Sequence, residues 1–233
     1  MKKYGTFDIL GPIMIGPSSS HTAGAARLGK VARDIVGADF KSVSFYLHGS
    51  FAETYRGHGT DKALVAGILG MEPQDENLRI AFEIAEKQGV EYEFIPTVIG
   101  EAEHPNTVKM VFHMNDGTDS VIMGCSIGGG NIIVNEINGF TVELTGEYCV
   151  VLIRQLDKKG ILSKVTKVIA DGEINIANMK LTRAHQLEAF LIVECDEYIS
   201  EEIVNRLKKI EEVLSAQLIN TSKAKRQHEQ RNN

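Results

Sequence analysis

Cysteine is scarce and scattered in this sequence. Only three are present, Cys125, Cys149 and Cys195, an odd number spaced too widely for a disulfide framework or for close-set metal or cluster ligands. All three are read as reduced thiols, with Cys149 and Cys195 in the core. Long hydrophobic runs are missing as well: none approaches the ~18 to 20 residues that a bilayer span needs. The start, Met1-Lys2-Lys3-Tyr4-Gly5, leads into no signal-like apolar stretch, so a cytoplasmic protein without membrane contact is expected. Positive charge is in deficit. A net charge of −6, with no concentrated basic face, opposes the counterion release that drives nucleic-acid binding, and nucleic acid is excluded as a partner. The signatures of self-sufficient enzymes are also absent. Gly124-Cys125-Ser126-Ile127-Gly128-Gly129-Gly130 lacks the Lys-Ser or Lys-Thr of a phosphate-binding loop, and no dinucleotide fingerprint occurs. Gly16-Pro17-Ser18-Ser19-Ser20 contains no nucleophile elbow, and the seven histidines include no helical His-x-x-x-His pair, which leaves serine-hydrolase and zinc-enzyme readings unsupported.

What is present suffices for folding. With 43% apolar and 24% charged residues, the 233-residue chain has the composition of a globular protein, and its length suits two domains. Up to about Thr145 the pattern is mixed α+β. Ala25, Leu28, Ala32 and Ile35, and again Leu78, Ala81, Ile84 and Ala85, recur at helical spacing. Between them Val43, Phe45 and Leu47 alternate with Ser44, Tyr46 and His48, the period of a half-buried strand. Further strands are expected near 107–115, 118–126, 131–137 and 140–145, with Asp116-Gly117 and Asn138-Gly139 as hairpin turns.

After Thr145-Gly146-Glu147 the pattern changes. The run Cys149 to Ile153 reads as a central strand, and Leu156-Asp157-Lys158-Lys159-Gly160 turns into a helix carrying Ile161, Leu162, Val165, Val168 and Ile169. Asp171-Gly172 ends it; strands near 174–183 and 187–194, a helix through Ile199, Ile203, Leu207 and Ile210, and a strand near 213–219 complete a βαββαβ order. Domains are therefore set at 1–145 and 148–219, followed by a polar, basic tail at 220–233 that is expected to be disordered. A split βαβ sheet with both helices on one face leaves edges free to pair with a second copy.

Four polar segments of the first domain carry candidate chemistry. In Gly11 to Thr22, the residues Ser18, Ser19, Ser20, His21 and Thr22 crowd the opening turn of the first helix. One hydroxyl would serve as N-cap, and the surplus suggests a site for a substrate carboxylate. In Gly57-His58-Gly59-Thr60-Asp61, two glycines leave His58 unshielded and open to substrate, with Thr60 or Asp61 available to cap the following helix. A turn histidine of no consequence is the alternative. His104-Pro105-Asn106-Thr107 and the Gly124–Gly130 stretch are weaker signals of the same kind.

The run 156–162 followed by Gly172-Glu173-Ile174-Asn175-Ile176-Ala177-Asn178-Met179 resembles the ACT domain family, a ferredoxin-like fold. That resemblance implies a small effector bound between paired domains, with Asp157, Gly160, Asn175 and Asn178 as contacts; a domain that only pairs subunits is the alternative. The Ser-Ser-Ser-His-Thr, Gly-His-Gly-Thr-Asp, His-Pro-Asn and Ser-Ile-Gly-Gly-Gly segments, together with the ACT-like end, resemble the beta subunit of two-subunit bacterial iron-sulfur L-serine dehydratases (L-serine ammonia-lyases). The first domain of that family is similar in turn to a substrate-sensing domain of some phosphoglycerate dehydrogenases.

The resemblance implies deamination of L-serine to pyruvate and ammonia in gluconeogenic amino-acid metabolism. It implies a heterodimer in which a partner alpha subunit carries a [4Fe-4S] cluster, no pyridoxal phosphate, and no metal on this chain. It implies His58 as the first candidate base and His21 as the second. Ser18, Ser19, Ser20, Thr22, Thr60, Asp61, His104 and Asn106 would bind substrate, with Thr60 and Asp61 also orienting His58. A purely regulatory amino-acid-binding subunit without catalytic residues, and a free-standing sensor, remain as readings of a different class.

Overall fold

The computed structural model describes residues 14–100, 104–146, 148–183 and 187–219. The expected tail at 220–233, and Gly11 to Ile13 of the first polar segment, lie outside the described residues. The chain divides into two compact units, one of residues 1–139 with 143–145 and one of residues 140–142 with 146–233.

The first unit starts with a wide π-helical segment, Ser19–Gly24, that continues into α1 (Ala25–Val36). There follow β1 (Phe40–His48), α2 (Ser50–Thr54), α3 (Thr60–Ile68), a short 3₁₀ turn (Glu76–Ile80), α4 (Ala81–Gln88) and β2 (Glu91–Thr97). A meander closes the series: β3 (Thr107–Met114), β4 (Asp119–Gly128), β5 (Asn131–Ile137) and β6 (Phe140–Leu144), of which Phe140–Val142 count with the second unit. The six strands form one sheet in the order β2-β1-β3-β4-β5-β6. β2 runs parallel to β1, while the pairs β1–β3, β3–β4 and β4–β5 are antiparallel.

α1 packs on β4 and β5 of the sheet, and α3 packs on α1. Val43, Phe45 and Leu47 of β1, Met110 and Phe112 of β3 and Ile122 of β4 are essentially inaccessible to water, as are Leu28 and Ile35 of α1 and Leu64 and Ile68 of α3. Each such side chain contributes ~1.5–3 kcal/mol by leaving water. β1 has the alternation expected of it. β2 has no counterpart among the sequence expectations: its charged Glu91 and Glu93 and its Pro96 weaken the strand pattern, yet it sits at the sheet edge, where proline and charge are tolerated. Both hairpins form as expected, and Asn138 and Gly139 take the positive φ values, 49° and 83°, of a primed turn. The Gly124–Gly128 part of the glycine-rich segment is strand rather than loop, since β4 runs through Gly128 and only Gly129 and Gly130 turn into β5.

The second unit contains β7 (Cys149–Leu156), α5 (Ile161–Ala170), β8 (Ile176–Arg183), β9 (Glu188–Cys195), α6 (Glu201–Lys208) and β10 (Val213–Ile219). This is the expected βαββαβ order, in a four-stranded antiparallel sheet ordered β10-β7-β9-β8. Val151, Ile153, Leu191 and Val193 of the central strands pack against Ile161, Val165 and Ile169 of α5 and Ile203 and Leu207 of α6. Cys149 and Cys195 belong to that core, as read from the sequence. Burial pushes the Cys195 thiol up to about 12, so it stays a neutral apolar group.

Candidate active site

The polar segments meet at one end of the six-stranded sheet. β1 ends there at His48 beside Thr97 of β2, and β3 begins there with Thr107 opposite Cys125 of β4. Three chain segments leave this end between strands: Gly49–Asp61, His104–Asn106 and the Gly129-Gly130 turn.

Ser18 is the N-cap of the π segment. Its Oγ accepts the main-chain N–H of His21 at 3.1 Å, and its carbonyl accepts from Thr22 and Ala23 at 2.9 and 3.3 Å. The capping role anticipated for one hydroxyl therefore falls to Ser18. The wide turn swings the His21 ring toward α2, where Nε2 lies 3.0 Å from Ser50 Oγ and Nδ1 lies 3.5 Å from Ser18 Oγ. The ring also packs edge-on against Phe51, at 5.3 Å between centroids, and against His58, at 4.8 Å. Burial, and next the neighbouring His58, hold the His21 pKa below the ordinary imidazole value; the Ser50 carbonyl opposes them.

His58 is exposed, and its loop is held from both sides. Its N–H donates to the Thr54 carbonyl at 3.0 Å, and its own carbonyl accepts the buried Thr22 hydroxyl at 3.2 Å. The expected flanking pair differs from its anticipated role. The N-cap of α3 is Gly59, in a left-handed conformation without a side-chain bond. Asp61 Oδ1 accepts the adjacent Lys62 N–H at 2.8 Å, and the Thr60 hydroxyl is fully buried with no hydrogen-bond partner among the described residues. Neither contacts the His58 ring through a hydrogen bond. The reason is geometric: the α3 backbone turns Thr60 inward, and its first N–H groups are already taken by the Tyr55 carbonyl at 2.9 and 3.4 Å.

His104 and Asn106 brace the site. His104 Nδ1 accepts the Asn106 N–H at 3.2 Å, while the Asn106 side-chain amide donates to the Ser126 carbonyl at 3.3 Å from a buried position. Asn106 thus ties the β3 start to β4, with its donor already engaged. Ser19 and Ser20 are half-buried. A pocket of about 360 Å³ opens beside this cluster; Thr22, His58 and Asp61 line it together with three exposed cations, Arg56, Lys62 and Arg79. Burial raises the Asp61 carboxyl above its ordinary value against the pull of Lys62. Ser50 and the three cations escaped the sequence reading. Ser50 could have been found as the polar residue just past the carboxyl end of a central strand, a favoured place for ligand contacts.

In the second unit the four candidate effector residues do not converge within one chain. Asp157 sits at one end of the sheet, its carboxylate 2.8 Å from Arg183 Nε, and Gly160 is the left-handed N-cap of α5 nearby. Asn175 and Asn178 lie at the opposite end, where Ile176, Cys195 and Cys149 are in register. Asn175 donates to Asp196 at 2.6 Å and Asn178 to Glu194 at 3.0 Å.

Fold and site together define a two-unit α+β protein in which a histidine-bearing polar site on the first unit precedes a ferredoxin-like βαββαβ unit. Residues 5–137 match the Serine dehydratase beta chain family and residues 150–212 match the ACT domain, and the chain belongs to the serine dehydratase beta chain family with an ACT domain at its end. It is 41% identical over 221 residues to the "L-serine dehydratase, beta chain" of Peptoniphilus asaccharolyticus, covering 94% of this chain and 99% of that one. It is also 41% identical over 221 residues to the "Probable L-serine dehydratase, beta chain" of Bacillus subtilis, covering 92% and 97%. The "D-3-phosphoglycerate dehydrogenase" of Bacillus subtilis is 25% identical over 198 residues, 84% of this chain and 37% of that one.

The residues of this chain do not fit an iron-sulfur cluster. Cys125 lies in the first unit and Cys149 and Cys195 in the core of the second, all buried, and no group of three or more His, Cys, Asp and Glu among the described residues is arranged to hold a metal ion. No described helix is long and apolar enough to cross a membrane.

Proposed function

We propose that this chain is the beta subunit of a cytoplasmic L-serine dehydratase, an L-serine ammonia-lyase that forms pyruvate and ammonia when joined to an alpha subunit carrying a [4Fe-4S] cluster. The observation that carries the reading is the contact between the His21 and His58 rings beside a pocket bordered by Arg56, Lys62 and Arg79. The cations and the serine hydroxyls suit a small zwitterion with a carboxylate, and a histidine is a base of suitable strength near neutral pH. Elimination removes the Cα proton and the β-hydroxyl of serine; the resulting aminoacrylate tautomerises to an imine, and water releases ammonia and pyruvate. This chain's part is to bind and orient the substrate and to take the Cα proton. The exposed His58 is the acceptor, and His21 backs it from the protein side. Ser19 and Ser20 face substrate, while Thr22, whose hydroxyl donates to the His58 carbonyl, joins Ser18, His104 and Asn106 in holding the loops.

The functional division into residues 1–145 and 148–219 is supported by the two compact units. The ACT domain binds a small effector between two copies. Opposite ends of one sheet carry the two halves of that site, so each half needs the other from a second chain.

The experiment is anaerobic pyruvate formation from L-serine by this chain, by the alpha subunit, and by their mixture. Turnover only in the mixture is expected. His58→Asn should then lower kcat by about 100-fold or more with little change in KM. Full activity of the alpha subunit alone, with this chain merely shifting its serine dependence, would replace the proposal by a purely regulatory role.

A further inference from the structure

Ser50 was not among the residues singled out by any motif, yet it makes the shortest side-chain contact of the His21 ring, 3.0 Å from Oγ to Nε2. We propose that Ser50 is a positioning residue for the reaction, fixing His21 as the Nε2–H tautomer so that its ring is held against His58, the proton acceptor, with the Nδ1 lone pair turned to the Ser18 hydroxyl. The inference rests on the assignment of His21 to the active site made above and deepens it.

The donor and acceptor accounting favours this tautomer. The 3.0 Å from Nε2 to Ser50 Oγ is the length of an N–H···O bond, whereas the 3.5 Å from Nδ1 to Ser18 Oγ is long for one. An Nε2–H therefore donates to the Ser50 hydroxyl, while the Ser50 carbonyl accepts the Thr54 hydroxyl at 2.7 Å. On the other side, Ser18 Oγ already accepts the His21 main-chain N–H, and its own proton is free to point at Nδ1, 3.5 Å away. A neutral imidazole has one N–H, so committing it to Ser50 leaves the Nδ1 lone pair toward Ser18.

The position of Ser50 is itself constrained. Gly49 adopts φ 55°, ψ −127°, and a Cβ there would come within 2.7 Å of the Pro105 carbonyl oxygen. That same carbonyl accepts the Phe51 N–H at 3.2 Å. The His104–Asn106 segment therefore clamps the start of α2 from both sides of Ser50. Phe51, fully buried, gives the His21 ring its floor at 5.3 Å, so the ring has little freedom to flip.

Two measurements test this. Long-range ¹H–¹⁵N NMR on the chain alone should show His21 in a single Nε2–H tautomer near neutral pH, and Ser50→Ala should populate both. An Nδ1–H tautomer in the wild-type chain overturns the proposal. In the enzyme assembled with its alpha subunit, Ser50→Ala should lower kcat roughly 10- to 100-fold with KM for serine within about twofold, and move the acid limb of the pH–rate profile. Ser50→Thr, which keeps the hydroxyl, should recover most of the loss. His21→Ala separates the two levels of the argument. Survival of turnover in that variant sinks the assignment of His21 to the active site, and the kinetic part of this proposal with it; loss of turnover in His21→Ala with wild-type kcat in Ser50→Ala overturns the role of Ser50 alone.

Discussion

A half-buried imidazole writes its environment into the pH dependence of the whole protein. The His21 pKa is depressed in the fold below 6.5, first by burial and then by His58. Between the folded value and 6.5 the unfolded chain binds more protons at this residue, so stability rises with pH across that window and is lost as pH falls through it. Urea titrations at pH 7.5 and 5.5 should show a larger loss in the wild-type chain than in His21→Asn. Thr60 makes a second case. Its hydroxyl is fully buried without a partner among the described residues, and such a group costs about 1–3 kcal/mol. Thr60→Val keeps the shape and removes the penalty, so the isolated chain should unfold at higher urea concentration, with stability raised by about 1 kcal/mol. At this scale the sequence was legible where chemistry is local. A serine cap before the first helix and His58 between glycines follow from neighbours along the chain; that the cap is Ser18 does not. The inward turn of Thr60 and the aim of Ser50 at His21 depend on backbone direction and on a residue 29 positions away, and no local pattern encodes them.

Elements meet where side chains allow it, and the crossing of α1 with α3 depends on two glycines. A Cβ on Gly29 would come within 2.7 Å of the Leu64 carbonyl, and one on Gly67 would overlap the Ala26 carbonyl and approach the Lys30 nitrogen at 2.7 Å. These neighbours are backbone and cannot swing away. Gly67→Ala gains about 1 kcal/mol of helix propensity, but forcing two helices apart over a packed sheet costs about 1–3 kcal/mol or more. Overpacking wins, and the urea midpoint should fall with the m-value unchanged. The same packing explains which elements could be read in advance. β1 alternates as read, the central strands β7 and β9 are buried at nearly every residue and read as apolar runs, and α5 and α6 each carry one apolar stripe. β2 at the sheet edge has little to bury on its outer side, so its glutamates and proline conceal it. The π turn at Ser19–Gly24 is invisible to a 3.6-residue period, because a widened turn leaves the spacing of α1 unchanged after it.

At the scale of the molecule, the proposed pairing of two copies turns on the edge of the second unit. β8 is an edge strand, and its Met179 and Leu181 are 39% and 36% exposed although they lie on the sheet face that the helices cover over the central strands. Asp157 and Gly160 lie at the end of the sheet where β8 finishes, Asn175 and Asn178 where it starts. Two copies joined through antiparallel β8 edges about a dyad bring the Asn178 end of one to the Asp157 end of the other, twice, while covering Met179 and Leu181. A parallel arrangement would put like ends together and leave every half-site unmatched. In the proposed dimer, self-association and effector binding would be one event seen by two methods. On that proposal Leu181→Lys, which sets a charge on the β8 edge without touching Asp157, Gly160, Asn175 or Asn178, should lower the mass measured by sedimentation and abolish the response of the assembled enzyme to added amino acids, with basal turnover retained. Asn178→Ala should weaken the effector response and leave the mass unchanged. A monomeric Leu181→Lys chain that still responded in full would show that each ACT domain binds its effector alone, and the separation of the four residues along the sheet would then need a different reading.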